Sequence, residues 1–237
     1  MSIDSEMADA DGFNIHIPFN VYSASAITCA KNYVSLIEAQ LSQAYTDERF
    51  SALEQYRCLP DADEADYEVY VRPVERMFDE DFRPILRFTT VVYLYLVFET
   101  YVSRHIAKIQ RLRTAESDIL KRLKKNRGLV EATQIYFKNE ADLSFFTDAQ
   151  WQQLREIEQV RNCIVHAAGI ARDSRHPELI YNLERRLVGL EIDRYRGKDI
   201  GAPMTLHQRF SEYCISILEN FFNALGEAAE RTFDSKT

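Results

Sequence analysis

The sequence predicts an all-α fold, a multi-helix bundle with one short β-hairpin, and three observations support this. The 237 residues include only seven glycines and six prolines, too few for a β-sandwich or barrel that turns about every ten residues. Apolar side chains recur at three- and four-residue spacing through most of the chain, as in amphipathic helices. With 14 Phe and 13 Tyr, the chain can bury a substantial core and is not intrinsically disordered.

The first 80 residues are predicted to hold three helices after an extended opening at 14–20. The first helix covers 22–44, the second covers about 47–58 and is closed by Pro60, and the third covers 66–78. Side chains at core spacing in the first helix are Ala26, Cys29, Ala30, Tyr33 and Ile37.

A long central helix is predicted to begin at Pro84 and to reach about Arg113. Residues 91–98 are rich in Val, Tyr and Phe, which favours a strand by propensity alone, but the helical spacing continues on both sides. Because this stretch is apolar all round, we expect a helix at the centre of the bundle. The uncharged run 88–98 is too short to cross a bilayer.

The second half of the chain carries clear signals for helix ends. A short helix is predicted over 129–138, and the capping-box form of 147–150 begins a helix that Gly169 ends near Ala168. We expect a short hairpin at 190–200 around Arg196-Gly197. The capping-box form returns at 205–208, before a long amphipathic last helix.

Charge and cysteine usage restrict the class of protein. The formal net charge is −8, yet Lys and Arg cluster between residues 104 and 127, either as a solvated helix face or as a local phosphate-binding patch. The four cysteines form no CxxC pair, which argues against a zinc knuckle or a thioredoxin-type site, and we expect four free buried thiols in a reducing compartment. The acidic N-terminus lacks the features of a signal peptide, so the predicted location is the cytoplasm, away from membranes.

Arg161 stands out in the helix that follows Thr147. On a helical wheel it falls within the apolar stripe of that helix, where a guanidinium needs a carboxylate or phosphate partner. Glu99 is the only charge between Arg87 and Arg104 on the central helix, and we predict that it pairs with Arg161. The alternative is that the arginine extends along its methylene stem to solvent.

The residues Arg161-Asn162-Cys163-Ile164-Val165-His166 have the form R-N-x-x-x-H. This resembles the motif of the HEPN family of all-helical ribonucleases and RNA-processing accessory domains. Phe98-Glu99-Thr100-Tyr101 is similar to the acidic position that many HEPN domains carry on an upstream helix. The resemblance covers about residues 80–230, so we divide the chain into an N-terminal helical region of unknown role (1–79) and a HEPN-like domain (80–232).

The resemblance implies a metal-independent endoribonuclease, without cofactor, that cuts RNA in a homodimer cleft. Catalytic roles fall on Arg161, which stabilises charge on the phosphorane, on His166, which transfers protons, and on Asn162 and Glu99. RNA is the expected substrate, because the 2′-hydroxyl is the nucleophile and DNA lacks it. The predicted RNA-binding residues are Lys121, Arg122, Lys124, Lys125 and Arg127. In bacterial relatives this role is usually that of a toxin or antiphage effector, which adds an antitoxin or regulatory protein as an expected partner.

Two other interpretations remain open from the sequence. In a non-catalytic HEPN-type module that binds RNA, a nucleotide or a protein, Arg161 and Glu99 form a structural pair and His166 has no role. In a plain helical scaffold, the chain has no connection to RNA. Cleavage of RNA that depends on Arg161 and His166 distinguishes the first reading from both.

Overall fold

The computed structural model describes residues 21–112, 125, 128–194 and 201–233. Most of these residues are helical, and the predicted all-α bundle with a short hairpin is confirmed. The helices are α1 (Val21–Arg57), α2 (Glu64–Tyr70), α3 (Arg72–Arg76), α4 (Arg83–Leu112), α5 (Leu129–Ile135), α6 (Asp148–Ala167), α7 (Pro177–Leu183) and α8 (Gln208–Phe233). π-Helical turns cover Met77–Phe82 and Tyr136–Glu140, and a 3-10 turn covers Ala171–Asp173.

Helix α1 is one continuous helix, so the prediction of two helices over 22–58 was wrong. The helix is uninterrupted at residues 44–47. Thr46 Oγ1 donates to the carbonyl of Ser42 (2.9 Å) and Gln43 Nε2 donates to Asp47 Oδ1 (2.8 Å), both at the four-residue spacing of one helical turn. Its predicted core face was also rotated by about one residue, since Cys29 and Tyr33 are exposed. The buried side chains are Ser23, Ile27, Ala30, Val34, Glu38 and Ala52.

The predicted third helix, 66–78, is divided by a break at Val71. Helix α2 begins with a capping box between Asp63 and Asp66, and α3 has Pro73 in its first turn. Proline has no backbone N–H and is tolerated only in the first turn of a helix, so a new helix starts here. The π-helical turn then leads directly into α4.

Helix α4 contains the apolar stretch 91–98 as helix, as predicted, and Leu94 and Phe98 are fully buried. The expectation that this stretch is buried on every side was wrong, because Tyr93 is 44% exposed and Leu96 is 57% exposed. By length and composition, Arg72–Arg111 is the one described helical stretch that passes as a membrane span. Of its most apolar window, 39% is buried inside the bundle.

One hydrophobic core joins α1, α4, α6 and α8. The Phe221 ring on α8 lies at its centre, with ring centroids 5.2 Å from Phe98, 5.3 Å from Phe146 and 5.5 Å from Trp151. Helix α1 packs against α4 and α8 and contributes Ile27, Ala30 and Val34 to the same core. The division of the chain at residues 79 and 80 stays a prediction.

The hairpin is displaced from its predicted place. Strand β1 (Leu190–Ile192) pairs antiparallel with β2 (Met204–Leu206), with Leu190 opposite Leu206, while the predicted turn at 196–197 lies outside the described residues. Because Thr205 lies in β2, it does not cap α8, and the predicted capping box there was wrong. Helix α8 begins at Gln208, after His207, whose N–H donates to the carbonyl of Gly189 (2.8 Å).

All four cysteines are free, but the expectation that all are buried was half wrong. Cys163 and Cys214 are buried, whereas Cys29 and Cys58 are exposed. Cys29 is exposed because the core face of α1 runs through Ile27 and Ala30 instead.

Candidate functional site

Helix α6 positions the three residues of the R-N-x-x-x-H motif. Its start is fixed by the predicted capping box, in which the N–H of Gln150 donates to Thr147 Oγ1 (3.3 Å) and the N–H of Thr147 donates to Gln150 Oε1 (2.9 Å). Its end is fixed by a left-handed residue, Ala168 (φ 49°), followed by Gly169 (φ 77°). The motif therefore occupies the last two turns of a helix defined at both ends.

Arg161 is half-buried, and its guanidinium forms one hydrogen bond and one contact with an aromatic ring. Its Nη1 donates to Asn162 Oδ1 (2.9 Å), and its Cζ lies 5.3 Å from the ring centroid of Tyr95 on α4. Its Nε is buried and has no hydrogen-bond partner in the described part of the chain. Placement of Arg161 on the inward side of α6 agrees with the helical-wheel prediction.

The predicted ion pair between Arg161 and Glu99 is not among the contacts of Arg161, which bonds to the neutral amide of Asn162 instead. Glu99 is half-buried on α4, and the charges of Glu99 and Arg161 both affect the pKa of Tyr95. Burial raises the pKa of Tyr95, Glu158 and then Glu99 raise it further, and Arg161 opposes them. Arg161 and Glu99 therefore lie near the same phenol without contacting each other.

Tyr95 and Glu158 are site residues that sequence reasoning missed. The hydroxyl of Tyr95 donates to Glu158 Oε1 (2.5 Å), which also accepts the N–H of Leu129 (2.9 Å) at the start of α5. One carboxylate thus connects α4, α5 and α6 beside Arg161. The available signal was that Glu158 lies three residues before Arg161, one helical turn away.

Asn162 and His166 are both exposed and lie four residues apart on one face of α6, with Val165, 45% exposed, beside them. His166 belongs to the last turn of α6. Asn162 Oδ1 accepts from Arg161, and the described part of the chain contains no hydrogen bond between Asn162 and His166. A single protomer therefore presents an arginine and a histidine that are near in sequence but not in contact.

The predicted RNA-binding segment falls almost entirely outside the described residues. Lys121, Arg122, Lys124 and Arg127 lie in that part of the chain, and Lys125 is described as exposed. Within the described ranges, no group of three or more His, Cys, Asp or Glu residues is placed to hold a metal ion.

Comparisons of the chain with protein-family models, with curated proteins and with solved structures gave no match.

Proposed function

We propose that this protein is a metal-independent endoribonuclease of HEPN type that acts as a homodimer. The observation that supports this best is the state of Arg161. Its guanidinium bonds to a neutral amide, and no described carboxylate forms an ion pair with it, while His166 lies exposed on the same helix. A guanidinium that forms no ion pair with a carboxylate can use its N–H donors to bind a phosphate group.

The residue types fit cleavage by the 2′-hydroxyl of the substrate. In the proposed step, the 2′-oxygen attacks phosphorus, the P–O5′ bond breaks, and the products are a 2′,3′-cyclic phosphate and a 5′-hydroxyl. His166 removes the 2′-proton or supplies a proton to the leaving 5′-oxygen, both of which an imidazole can do near neutral pH. Arg161 stabilises the negative charge on the non-bridging oxygens, and the Tyr95 ring holds its guanidinium in place.

The exposed face of α4 supports the homodimer. Between Arg87 and Arg104 the only charged residue is Glu99, yet Leu96 (57%) and Tyr93 (44%) are exposed. The exposed side chains of Tyr93 and Leu96 thus form an uncharged surface on α4. We propose that a second copy of the chain covers this surface in the homodimer.

The first experiment measures cleavage of RNA in the presence of EDTA. Wild-type protein is expected to cut RNA but not DNA of the same sequence, and to leave cyclic phosphate ends. Arg161→Ala and His166→Ala are each expected to lower the rate at least about 100-fold, in the range for loss of general acid–base or electrostatic catalysis. Matched controls are Arg175→Ala and His176→Ala, because both residues are exposed and lie outside the motif.

Equal rates for motif variants and controls would contradict the proposal. Binding of RNA without cleavage would instead indicate the non-catalytic HEPN-type module. A toxin or antiphage role, silenced by a partner protein, belongs to the same proposal. It requires that expression of wild-type protein arrests growth and that expression of His166→Ala does not.

A further inference from the structure

We propose that a cavity between α7, the 3-10 turn and the end of β1 binds the phosphate group of a nucleotide. The cavity has a volume of about 380 Å³ and is open to solvent. Its lining includes Arg172, Arg185, Arg194, Tyr181 and Asn182. These residues lie outside the R-N-x-x-x-H motif, so the inference does not depend on RNA cleavage.

The turn after α7 holds Arg185 in the cavity wall by fixing its two neighbours. Glu184 Oε1 accepts the N–H of Ile192 (2.8 Å), and Arg186 Nη2 lies 2.6 Å from Oε1 of the buried Glu156 on α6. Arg185 itself forms no hydrogen bond or ion pair with any residue in the described ranges, and it is exposed. The backbone on both sides is therefore fixed while the guanidinium between them remains available to a ligand.

A second arginine approaches from the 3-10 turn. The N–H of Ala171 donates to the carbonyl of Ala202 (3.0 Å) and the N–H of Arg172 donates to the carbonyl of Gly201 (3.2 Å), which fixes this turn against the residues before β2. At Gly201 (φ 85°) a Cβ atom would lie 2.9 Å from Arg172 Nη2. Glycine therefore allows the guanidinium of Arg172 to lie close against the backbone.

The third arginine is held over an aromatic ring. Arg194 Cζ lies 5.2 Å from the ring centroid of Tyr181, and its Nη2 donates to Glu184 Oε2 (2.7 Å). The ring and the carboxylate fix the plane of this guanidinium, which reduces the rotamer entropy lost when it binds an oxyanion.

The charge and size of the cavity indicate the class of ligand. Two of the three arginines are paired with carboxylates, Arg172 with Asp173 (3.5 Å) and Arg194 with Glu184 (2.7 Å), and Glu178 also lines the cavity. Arg185 is therefore the lining arginine whose charge no described carboxylate offsets by an ion pair. Guanidinium groups bind phosphate oxygens through paired N–H donors, and Asn182 adds an amide. The volume lies in the range of small-molecule pockets, roughly 300–1,000 Å³, which suits a mononucleotide better than a lone ion.

The test is calorimetric titration of the full chain with adenosine 5′-monophosphate, inorganic phosphate and uncharged adenosine. The monophosphate is expected to bind saturably, inorganic phosphate more weakly, and adenosine weakest of all. Arg185→Ala is expected to weaken binding of the monophosphate about tenfold, the effect of one lost charge-assisted contact.

Because Arg185 has no partner in the described chain, this variant is expected to keep the wild-type melting temperature. The matched control is Arg57→Ala, which removes an exposed arginine at the end of α1 and is expected to bind like wild type.

The proposal is overturned if the monophosphate does not saturate the protein, or if adenosine binds as tightly as the monophosphate. It is also overturned if Arg185→Ala and Arg57→Ala have equal effects, since that result indicates general charge attraction. Arg185→Ala is expected to cut RNA at the wild-type rate, because Arg185 lies outside the R-N-x-x-x-H motif. Loss of nucleotide binding and loss of RNA cleavage are therefore separate results.

Discussion

Arg161 shows how a charged side chain is accommodated on the inward side of a helix without an ion pair. The Tyr95 ring contacts the guanidinium, and the amide of the next residue accepts one of its N–H groups. The inward position of Arg161 was predicted correctly, because it follows from helical periodicity alone. Its partner was predicted wrongly, because the nearest side chain depends on the distance between two helices, and periodicity does not contain that distance.

His105 predicts a pH dependence of stability. It is buried on α4 against Phe222 and lies 3.2 Å from Ser23 Oγ, and burial, with a smaller effect of Lys108, lowers its pKa from 6.5 to about 4. Between these two pKa values the unfolded chain binds a proton that the folded chain does not, so stability is complete above pH 6.5 and falls as the pH decreases toward 4.

This histidine is expected to lower the free energy of unfolding by about 2 kcal/mol between roughly pH 7 and pH 5. Urea titrations at both pH values measure it, with His105→Gln as the non-titrating variant. An equal loss in wild type and His105→Gln would show that other groups account for the acid sensitivity.

At the end of α6, substitutions at two adjacent residues are expected to change the stability of the protein in opposite directions. Ala168 adopts φ 49°, a conformation that is unfavourable for a residue with a Cβ, whereas at Gly169 (φ 77°) a Cβ would lie 2.5 Å from two ring atoms of Phe88. We expect Ala168→Gly to stabilise the protein by about 0.5–1 kcal/mol and Gly169→Ala to destabilise it by about 1–3 kcal/mol. Chemical denaturation of the two variants measures both effects, and destabilisation by Ala168→Gly would contradict the geometry.

At the scale of elements, the sequence predicted helices best where a local signal begins or ends them. The capping box at Thr147 acts within one turn and was predicted correctly. The predicted start at Pro84 was wrong, because the chain is already helical from Arg72 and enters α4 through the π-helical turn Met77–Phe82. The capping-box form at Thr205 failed because that residue pairs with Glu191 in the hairpin, a contact between distant parts of the chain. The extent of α1 was missed for the opposite reason: the sequence around Thr46 favours neither a break nor a continuation strongly.

Arg87 connects three elements and carries a prediction at this scale. Its Nε and Nη2 donate to the two oxygens of the buried Glu38 on α1 (2.9 and 3.2 Å), and its Nη1 donates to the carbonyl of Leu206 in β2 (3.1 Å). Arg87→Ala leaves a buried carboxylate without its partner, so we expect a loss of about 3–5 kcal/mol in the free energy of unfolding.

The double variant Arg87→Met/Glu38→Leu is expected to recover most of that loss, because it removes both charges. The control pair, Arg57 and Glu54, is exposed on α1, and Arg57→Ala is expected to change stability by less than about 0.5 kcal/mol. Thermal or urea denaturation measures all three variants. Similar losses for Arg87→Ala and the double variant would contradict the prediction.

At the scale of the whole molecule, the uncharged face of α4 exposes Tyr93 and Leu96 in the described part of the chain. If a second copy covers it, wild-type protein has twice the monomer mass of 27.6 kDa in light scattering. We expect Leu96→Glu to give monomers and to lower RNA cleavage, because a charge placed in an apolar interface must be desolvated without a partner. The matched control is Val69→Glu on α2, where the side chain is 66% exposed and far from the motif in sequence. Cleavage by a protein that is monomeric at the assay concentration would contradict the dimeric cleft.

The position of α1 has a consequence for how such a protein could be switched on. Ile27, Ala30 and Val34 of α1 pack against apolar side chains of α4 and α8. If a protease cut the chain between α1 and α2 and α1 dissociated, these core side chains would be exposed to solvent. The remaining fragment would be expected to aggregate or to be degraded, and not to form an active enzyme. If the proposed activity is held silent by an inhibitor that dissociates, that inhibitor is therefore expected to be something other than α1.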